Sequence, residues 1–559
     1  MKRPTTLFFI GFFGLFLSCT SKKETTTDNI LQLSLSSKIV SLDPTQSYDE
    51  VTNLVVSQIY ESLFEYHPTK RPYELRGNLA SRMPEEQNEG KTLIFSLKEN
   101  VLYHDHPCFK GKKRTVKAQD FITAIKRLAY LPSQSKGYWT FENKLIGIEE
   151  FRQKVGNDFT LFQTRDISGV KIIDDHHFSL SFYEKNPRLN HVAALNFLSP
   201  IPMEVVVCRN NNLSDEDVGT GPFQVEKMRK DQEITLARFE NYHAGKVSLE
   251  KVNFVVINES QPAWLNLLSG KLDMLMRLPK DNFDMAFDEK GNPSPLLKEK
   301  NILISKGAIQ TSWYLSFNMQ DPILGKKKHL REAIAYAIDW DRFIKLFTQN
   351  TGRRANSMFM PSLFGYDEKK KWPYEYNVEK AKDLIKNEKD LPSFTFDVRS
   401  TSTSSRQLGE FFREELSKIG INVNVVLNTF PAFLNKAYQG QLQLWQDGWS
   451  IDYPDAENIA ALLLKQNFPP GSNANYYHNR EYEKLYKKMY PLHDGPERFK
   501  ILQEMENVIT NDLPWILGYY DEKTILYRNN IEGFISDYPT ASWIKYIHIK
   551  DYEKKNSPH

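Results

Sequence analysis

The chain has 559 residues, and its 73 basic and 70 acidic side chains leave a net charge of only +3. This balance gives no global field that would attract nucleic acid, and the basic clusters are short and separated. The length is too great for one hydrophobic core and predicts about three lobes. Aromatic residues make up 13% of the chain, which fits a binding cleft and equally fits a large core.

The first 18 residues have the pattern of an export signal. Met1–Arg3 is positively charged, Leu7–Leu17 is apolar but too short to span a bilayer, and Ser18 precedes Cys19. This pattern resembles a bacterial lipoprotein signal, in which cleavage exposes the cysteine for lipid attachment, although Phe16 stands where leucine is usual. The alternative is an ordinary secretory signal with an incidental cysteine.

The lipoprotein interpretation predicts the location of the whole protein. Residues 1–18 would be removed, Cys19 would carry the lipid, and the polar residues 19–29 would form a flexible tether. The sequence shows no further transmembrane segment. We therefore expect a protein of the cell envelope that is held on the periplasmic or extracytoplasmic side by its lipid anchor.

From Leu31 onward, strand and helix patterns alternate without the regular rhythm of a barrel, which predicts an α/β protein. No repeat of 20–50 residues is evident. Period-2 patterns predict strands at Leu31–Leu35, Thr92–Leu97, within Ile172–Tyr183 and after Gly219–Phe223, and then at Ser312–Asn318, Phe394–Arg399 and Ile421–Leu427. Helical spacing predicts helices within Tyr48–Tyr66, Ala118–Leu131 and Gln407–Ile419, and one helix over the whole of Leu330–Phe347.

The segment Gln441–Asn458 is the main candidate for a binding site. Its first half alternates as a strand that we expect Gly448 to break, and its second half contains the turn Asp452–Asp455. A carboxylate at a strand's end beside Trp445 and Trp449 suits a cationic ligand group. The alternative is that the two aspartates cap a helix and the tryptophans belong to the core.

Several short motifs along the chain are weak evidence singly but strong evidence when taken together and in order. They are Leu42–Pro44 with Gln58–Leu63, Gly90–Thr92 and Val101–Asp105 with Lys117–Phe121, Gly219–Phe223, Ser269–Asp273, Leu330–Asp339 and Lys418–Ile421. In this order they resemble the extracellular solute-binding proteins of family 5, the oligopeptide- and dipeptide-binding lipoproteins of ABC importers. One departure is His106, where the family commonly has glycine.

The resemblance implies an α/β, bilobed periplasmic-binding-protein fold of the type II-like class, with hinged lobes and an extra domain beside lobe I. Polar and proline-rich breaks lead us to assign residues 28–66, 197–300 and 521–559 to lobe I. Residues 67–196 form the extra domain and residues 301–520 form lobe II. The chain would then cross the hinge twice, which lets one lobe rotate as a rigid body.

The resemblance also implies roles for individual residues. Peptide-binding members place an Asp in a W-x-x-D-Y pattern on the peptide's α-ammonium, and Trp449–Tyr453 matches it, with Asp452 as that carboxylate. Trp445, Trp449 and Tyr453 would line the site, while Asp455 is expected to be a cap. Arg399 is the best-placed guanidinium for the carboxylate end, with Arg406 as its substitute and a surface charge as the alternative. Gly221 would supply a tight turn and edge backbone.

The implied function is capture of a peptide and its delivery to the membrane permease subunits of an ABC importer, by a monomer without enzymatic activity, cofactor or metal. Nickel chelates, haem and cell-wall peptides are alternative solutes, and an envelope hydrolase is the alternative from another class.

His104, His106 and Cys108 alternate as metal ligands do, but Pro107 makes a regular strand there doubtful. Ser133–Lys136 and Ser542–Lys545 fit S-x-x-K without its companion motifs. Whether Cys108 and Cys208 pair stays open.

Overall fold

The computed structural model describes residues 29–550, apart from residues 48, 230, 280–281, 289–291, 308, 349–350, 389–390 and 470. The predicted signal and Cys19 therefore lie outside the described residues, as does the predicted tether up to residue 28. Among the described residues, no helix is long and apolar enough to cross a membrane.

The first sheet joins strands that are distant in the chain. Leu31, Leu33 and Leu35 are buried on one face of the first strand, because alternate residues of a strand point to opposite faces. This strand pairs in parallel with its neighbour, whereas the other pairings are antiparallel. The four-stranded order is Ile30–Leu35, Lys251–Val256, Glu233–Arg238 and Phe223–Arg229.

A second four-stranded sheet lies in the region predicted to be the extra domain. Phe95 and Phe178 stack on neighbouring strands with ring centroids 5.0 Å apart, and Phe121 packs against Phe178 from the helix Ala118–Ala129. The antiparallel order is Glu85–Gln87, Thr92–Ser96, His177–Ser181 and Val170–Ile172. Its buried side chains join those of the first sheet in one continuous hydrophobic cluster, the first core.

A six-stranded sheet organises the second half of the chain. Its order is Gly352–Arg354, Trp515–Asp521, Thr311–Phe317, Leu444–Ser450, Phe394–Val398 and Val423–Leu427. The buried residues around it form a separate second core that runs from Ile309 to Tyr520. The strand Leu444–Ser450 continues through Gly448, so the predicted break there is wrong. A Cβ at Gly448 would lie 2.7 Å from the ring of Trp313, which explains why glycine fits in the middle of this strand.

A three-stranded sheet lies where the chain passes between the two cores. Its order is Met274–Leu275, Thr524–Arg528 and Ile302–Lys306. The chain leaves it after Lys306 to enter the six-stranded sheet and returns to it at Thr524. The two passages touch, since Gly307 N donates to the carbonyl of Lys523 at 2.8 Å.

Two-stranded pairings join Phe64–Tyr66 with Leu75–Gly77 and Ile531–Glu532 with His548–Ile549.

The described residues also form α-helices between these strands. They are Glu50–Ile59, Ala118–Ala129, Ile148–Val155, Phe159–Thr164, Leu189–Val192, Met203–Cys208, Ser260–Ser269, Phe283–Ala286, Pro295–Glu299, Lys328–Ala337, Trp340–Phe343, Val378–Ile385, Thr403–Ser417, Phe430–Tyr438, Glu457–Ala460, Arg480–Met489 and Pro496–Asp512. The helix predicted within Tyr48–Tyr66 ends at Ile59.

The single helix predicted across Leu330–Phe347 is wrong. Ile338 is extended, with φ −90° and ψ 118°, and it ends the helix Lys328–Ala337. Asp339 then caps a new helix, Trp340–Phe343, by accepting a hydrogen bond from Arg342 N. A short π-helix follows at Ile344–Thr348. The apolar spacing is continuous across the break, so periodicity could not reveal it.

Candidate functional site

Asp452 lies in the turn that follows the strand Leu444–Ser450, and one amide side chain holds it. Asn458 Nδ2 donates to Asp452 Oδ2 at 3.3 Å, and Asn458 Oδ1 accepts from Asp452 N at 3.2 Å. The same oxygen accepts from Trp449 Nε1 at 2.9 Å. Asn458 therefore fixes both the carboxylate and the indole that the sequence singles out, although no sequence pattern points to it.

The Asp452 carboxylate is half-buried and has no cationic partner among the described residues. Burial raises its pKa above the ordinary 3.8, the hydrogen bond from Asn458 lowers it, and the nearby Glu457 carboxylate raises it. A cation brought to Asp452 would relieve this unfavourable burial of negative charge. The surroundings of Asp452 thus suit a positively charged ligand group.

Asp455, three residues further on, has the opposite surroundings. Its carboxylate is 2% exposed and pairs with two guanidiniums, Arg188 Nη1 at 2.7 Å and Arg498 Nη2 at 2.5 Å. Burial alone would raise its pKa, but the two arginines lower it to about 2. Asp455 Oδ1 also accepts from Glu457 N, the first residue of the helix Glu457–Ala460, at 2.7 Å, although the N-cap position itself is held by Ala456. The sequence missed the ion pairs, because Arg188 and Arg498 are distant in the chain.

The same turn meets the first core through an aromatic stack. The His191 ring lies between Tyr453, at a centroid distance of 5.8 Å, and Tyr66, at 6.0 Å. Tyr453 is itself fixed by donating its hydroxyl to Glu457 Oε2 at 2.6 Å. The Asp452 turn therefore lies where residues of the two cores meet.

His191 is held neutral in this stack. Burial lowers its pKa from 6.5 to about 4. Asp455 Oδ2, 3.8 Å from His191 Nε2, raises the pKa, whereas Arg188 and Arg498 lower it. Burial and the two guanidiniums outweigh the single carboxylate, because that carboxylate already carries two positive partners.

The other predicted site residues have different surroundings. Trp445 is 1% exposed, packs against Phe433, Ala437 and Leu442, and donates Nε1 to Asp447 Oδ2 at 3.1 Å. In this arrangement it supports the strand from behind. Its role as a wall of the site stays a prediction.

Arg399 lies just beyond the strand Phe394–Val398. Its guanidinium carbon is 4.5 Å from the centroid of the Trp313 ring, and Nη1 is 3.6 Å from Asp447 Oδ1. A planar guanidinium stacked on an indole keeps its outer N–H groups available for a second anion. Arg406 is exposed on the helix Thr403–Ser417.

Gly221 is used for packing. Its N–H donates to the Ile59 carbonyl at 2.8 Å, and its own carbonyl lies 2.9 Å from His104 Nε2. A Cβ there would lie 2.5 Å from the Gln58 carbonyl, so only glycine allows this approach. Both backbone groups have partners inside the protein, and a contact of Gly221 with ligand stays a prediction.

The rival metal ligands are engaged elsewhere. Cys108 and Cys208 form a disulfide, which answers the question that their spacing left open. His104 lies between the carbonyls of Asp217 and Gly221, whereas His106 Nε2 lies 2.6 Å from Glu216 Oε2. Across the described part of the chain, no cluster of three or more His, Cys, Asp or Glu residues could hold a metal ion.

The structure thus has two cores joined by two passages of the chain, and the turn that carries Asp452 lies where they meet. A dipeptide-binding protein of Escherichia coli (strain K12) is 24% identical over 472 residues, which cover 81% of this chain and 82% of the relative. Heme-binding protein A of Haemophilus influenzae is 22% identical over 479 residues, covering 83% and 82%.

A solved structure has the same fold. It is the ABC transporter-associated periplasmic binding protein DppA from Helicobacter pylori in complex with the peptide STSA, which matches with a TM-score of 0.74 and 22% identity over 93% of this chain and 98% of the other. The predicted bilobed, type II-like α/β fold is thereby confirmed.

The family model for bacterial extracellular solute-binding proteins, family 5 Middle, matches residues 74–469. The chain belongs to this family of extracellular solute-binding proteins, and the resemblance noted in its motifs is confirmed. The family consists of binding proteins, not enzymes.

Proposed function

We propose that this protein is the peptide-capturing subunit of an ABC importer, which takes oligopeptides between its lobes and passes them to membrane permease subunits. The observation that carries the proposal is Asp452, a half-buried carboxylate without a cationic partner among the described residues, held in position by Asn458. The peptide ligands named for the relatives support it.

An α-ammonium is the cation that best fits this site. Peptides of varied sequence share only their termini and backbone, so a receptor for many peptides must fix these common groups. A charge-assisted hydrogen bond from the ammonium to Asp452 would supply the missing counter-ion. Trp449 and Tyr453 flank Asp452 and would form apolar walls around the first residue of the peptide.

Arg399 is proposed to receive the peptide carboxylate. The contact of its guanidinium with the Trp313 ring limits the movement of the group, and a preorganised guanidinium favours a bidentate contact. Trp445 would support this surface from below through Asp447. Gly221 would keep its turn close to Ile59, on the side of the first core.

The central experiment is a double-mutant cycle between Asp452 and the peptide amine. Asp452→Asn keeps the shape of the side chain but removes its charge, so a bound ammonium loses its counter-ion. We expect a loss of ~2–5 kcal/mol, or roughly thirty-fold to a few thousand-fold in affinity, measured by calorimetry. An N-acetylated peptide is the matched control and should bind the wild type poorly.

The mutation should cost the acetylated peptide much less than it costs the free amine. Four affinities without coupling would show that Asp452 is not the ammonium site. Mass spectrometry of the peptide after incubation separates binding from hydrolysis, since a hydrolase would return shortened products.

Haem is the second candidate solute, because one of the relatives is named as a heme-binding protein. Titration of the purified protein with haem, followed by absorbance, tests this candidate directly. A saturable haem spectrum together with no affinity across a broad peptide library would favour haem.

Membrane attachment through Cys19 completes the proposal, with the protein acting as a lipid-anchored monomer outside the cytoplasm. Cys19→Ala should leave an unacylated product that either retains its signal or is soluble, because the lipid can no longer be attached. A variant that still sediments with membranes after a high-salt wash would contradict the lipid anchor.

A further inference from the structure

Asp455 is the centre of a buried ion cluster that both cores build. Arg498 comes from the helix Pro496–Asp512, whose buried residues belong to the second core, and it is 0% exposed. Arg188 precedes the helix Leu189–Val192, whose Leu189 belongs to the first core. Of the two guanidiniums on Asp455, one is therefore permanent within the second core, and the other depends on the two cores being together.

The side chain of Arg188 makes all of its described hydrogen bonds to the other core. In addition to Asp455, it donates Nη2 to the carbonyl of Leu492 at 2.7 Å, and its side chain is only 6% exposed. Close by, Tyr490 donates its hydroxyl to Asn186 Oδ1 at 3.1 Å. The short segment from Asn186 to His191 thus docks on the second core through polar contacts and the stack with Tyr453.

The ion cluster is linked to the Asp452 site by the backbone of the turn. The Asp455 carbonyl accepts from Asn458 N at 3.0 Å, and the Asp455 carboxylate accepts from Glu457 N at 2.7 Å. Asn458 in turn holds Asp452 and Trp449 through its side chain. The position of Asp455 therefore sets the position of Asn458, and Asn458 sets the proposed ammonium site.

We propose that Arg188 is a positioning residue that couples closure of the lobes to assembly of the Asp452 site. It would order the turn through Asp455 only when the lobes meet, and it would raise ligand affinity without touching the ligand. The coupling to affinity rests on the proposed function, whereas the docking of Arg188 on Asp455 does not. Apparent affinity falls in proportion to the fraction of competent protein, so any loss of the ordered, closed state weakens binding by the same factor.

The test uses Arg188→Gln and Arg188→Lys in the full chain. Arg188→Gln removes the guanidinium but leaves Asp455 paired with Arg498, so the second core keeps its internal ion pair. Lys154→Gln is the control, because Lys154 is exposed on the helix Ile148–Val155 of the first core and pairs with Glu150 of the same helix. Peptide affinity is measured by calorimetry, and amide hydrogen exchange is followed in residues 453–460 and in the strand Trp515–Asp521.

We expect Arg188→Gln to weaken peptide binding by at least tenfold and to speed exchange of residues 453–460 by a similar factor, with Trp515–Asp521 unchanged. Arg188→Lys should fall between the wild type and Arg188→Gln, because an ammonium restores the charge without the fork of two donors. Lys154→Gln should change neither readout by more than about twofold, as is usual for exposed pairs.

The outcomes separate this inference from the proposed function. Unchanged exchange in residues 453–460 of Arg188→Gln would overturn the positioning role, whatever the ligand. Faster exchange throughout the second core, including Trp515–Asp521, would also overturn it, because Arg188 would then be a general stabiliser. A wild type that binds no peptide, but whose turn still depends on Arg188, would contradict the proposed solute and leave the docking of Arg188 supported.

Discussion

Asp452 and Asp455 lie three residues apart in one turn, yet their surroundings are opposite. The protein supplies Asp455 with two guanidiniums, which lower its pKa to about 2 in a site that is 2% exposed. It gives Asp452 only the amide of Asn458, and burial raises that pKa. The protein neutralises one carboxylate itself, and the other is the proposed site for a cation from outside.

Because of this difference, we expect Asp455 to contribute to the stability of the fold and Asp452 to contribute to ligand binding. A buried charge with its partners in place costs little to keep, but it costs much when one partner is removed. A half-buried carboxylate without a cation lowers the stability of the folded protein, and a bound cationic ligand can remove that destabilisation. Mutations at the two aspartates should therefore change different measured quantities.

The largest effect is expected at Asp455. Asp455→Asn leaves Arg188 and Arg498 without their shared counter-ion, so we expect the free energy of unfolding to fall by about 3–5 kcal/mol, measured by urea titration. Asp452→Asn without ligand is the control and should change stability by less than about 1 kcal/mol, since it removes a carboxylate whose ionised form is disfavoured by burial. Equal losses in the two variants would remove the distinction between the aspartates.

A smaller effect should appear as a pH dependence from His191. Its pKa in the folded protein, about 4, is below the ordinary 6.5. The unfolded chain therefore binds the extra proton between these values, and stability falls as the pH is lowered through this window. We expect a loss of about 2 kcal/mol between pH 7 and pH 5. Asp455 contributes in a lower window, because its stabilisation is present above 3.8 and is lost as the pH falls through about 2.

His191→Phe keeps an aromatic ring in the stack and removes the titrating group, so the part of the pH dependence that comes from His191 should disappear. The buried His104, whose pKa is also lowered by burial, keeps its own contribution. His548, which is exposed, provides the control His548→Gln. A slope that is unchanged in His191→Phe would assign the pH dependence to other groups.

The smallest effect is expected at Arg399. Arg399→Gln should weaken binding of a peptide with a free carboxylate by about 1–2 kcal/mol, or roughly tenfold, which is the usual value of a hydrogen bond to a charged group near a surface. Peptide amides, which lack that carboxylate, should bind both proteins alike. If Arg406→Gln causes the loss instead, Arg406 is the carboxylate ligand. This comparison extends the contrast of the two aspartates to the other end of the ligand.

Much of the secondary structure could be predicted because it depends on local patterns. The alternation of Leu31, Leu33 and Leu35 determined a strand, and Gly420, at φ +81°, ends the turn after the helix Thr403–Ser417, in keeping with the predicted end of that helix at Ile419. The break at Ile338 was missed, because the apolar spacing continues through it. Gly448 was wrongly predicted to break the strand. Glycine is needed there because the ring of Trp313, on a neighbouring strand, leaves no room for a Cβ.

By itself, the sequence determined the family, the class of fold and the turn that carries Asp452, since ordered motifs and periodic burial are properties of neighbouring residues. Only the tertiary structure decided that Asp455 is a buried ion centre, that Asn458 holds Asp452, and that Arg188 reaches across from the other core. The strength and role of a charge depend on its burial and on the charges within a few ångströms. Residues 188, 455 and 498 acquire those neighbours only when the chain folds.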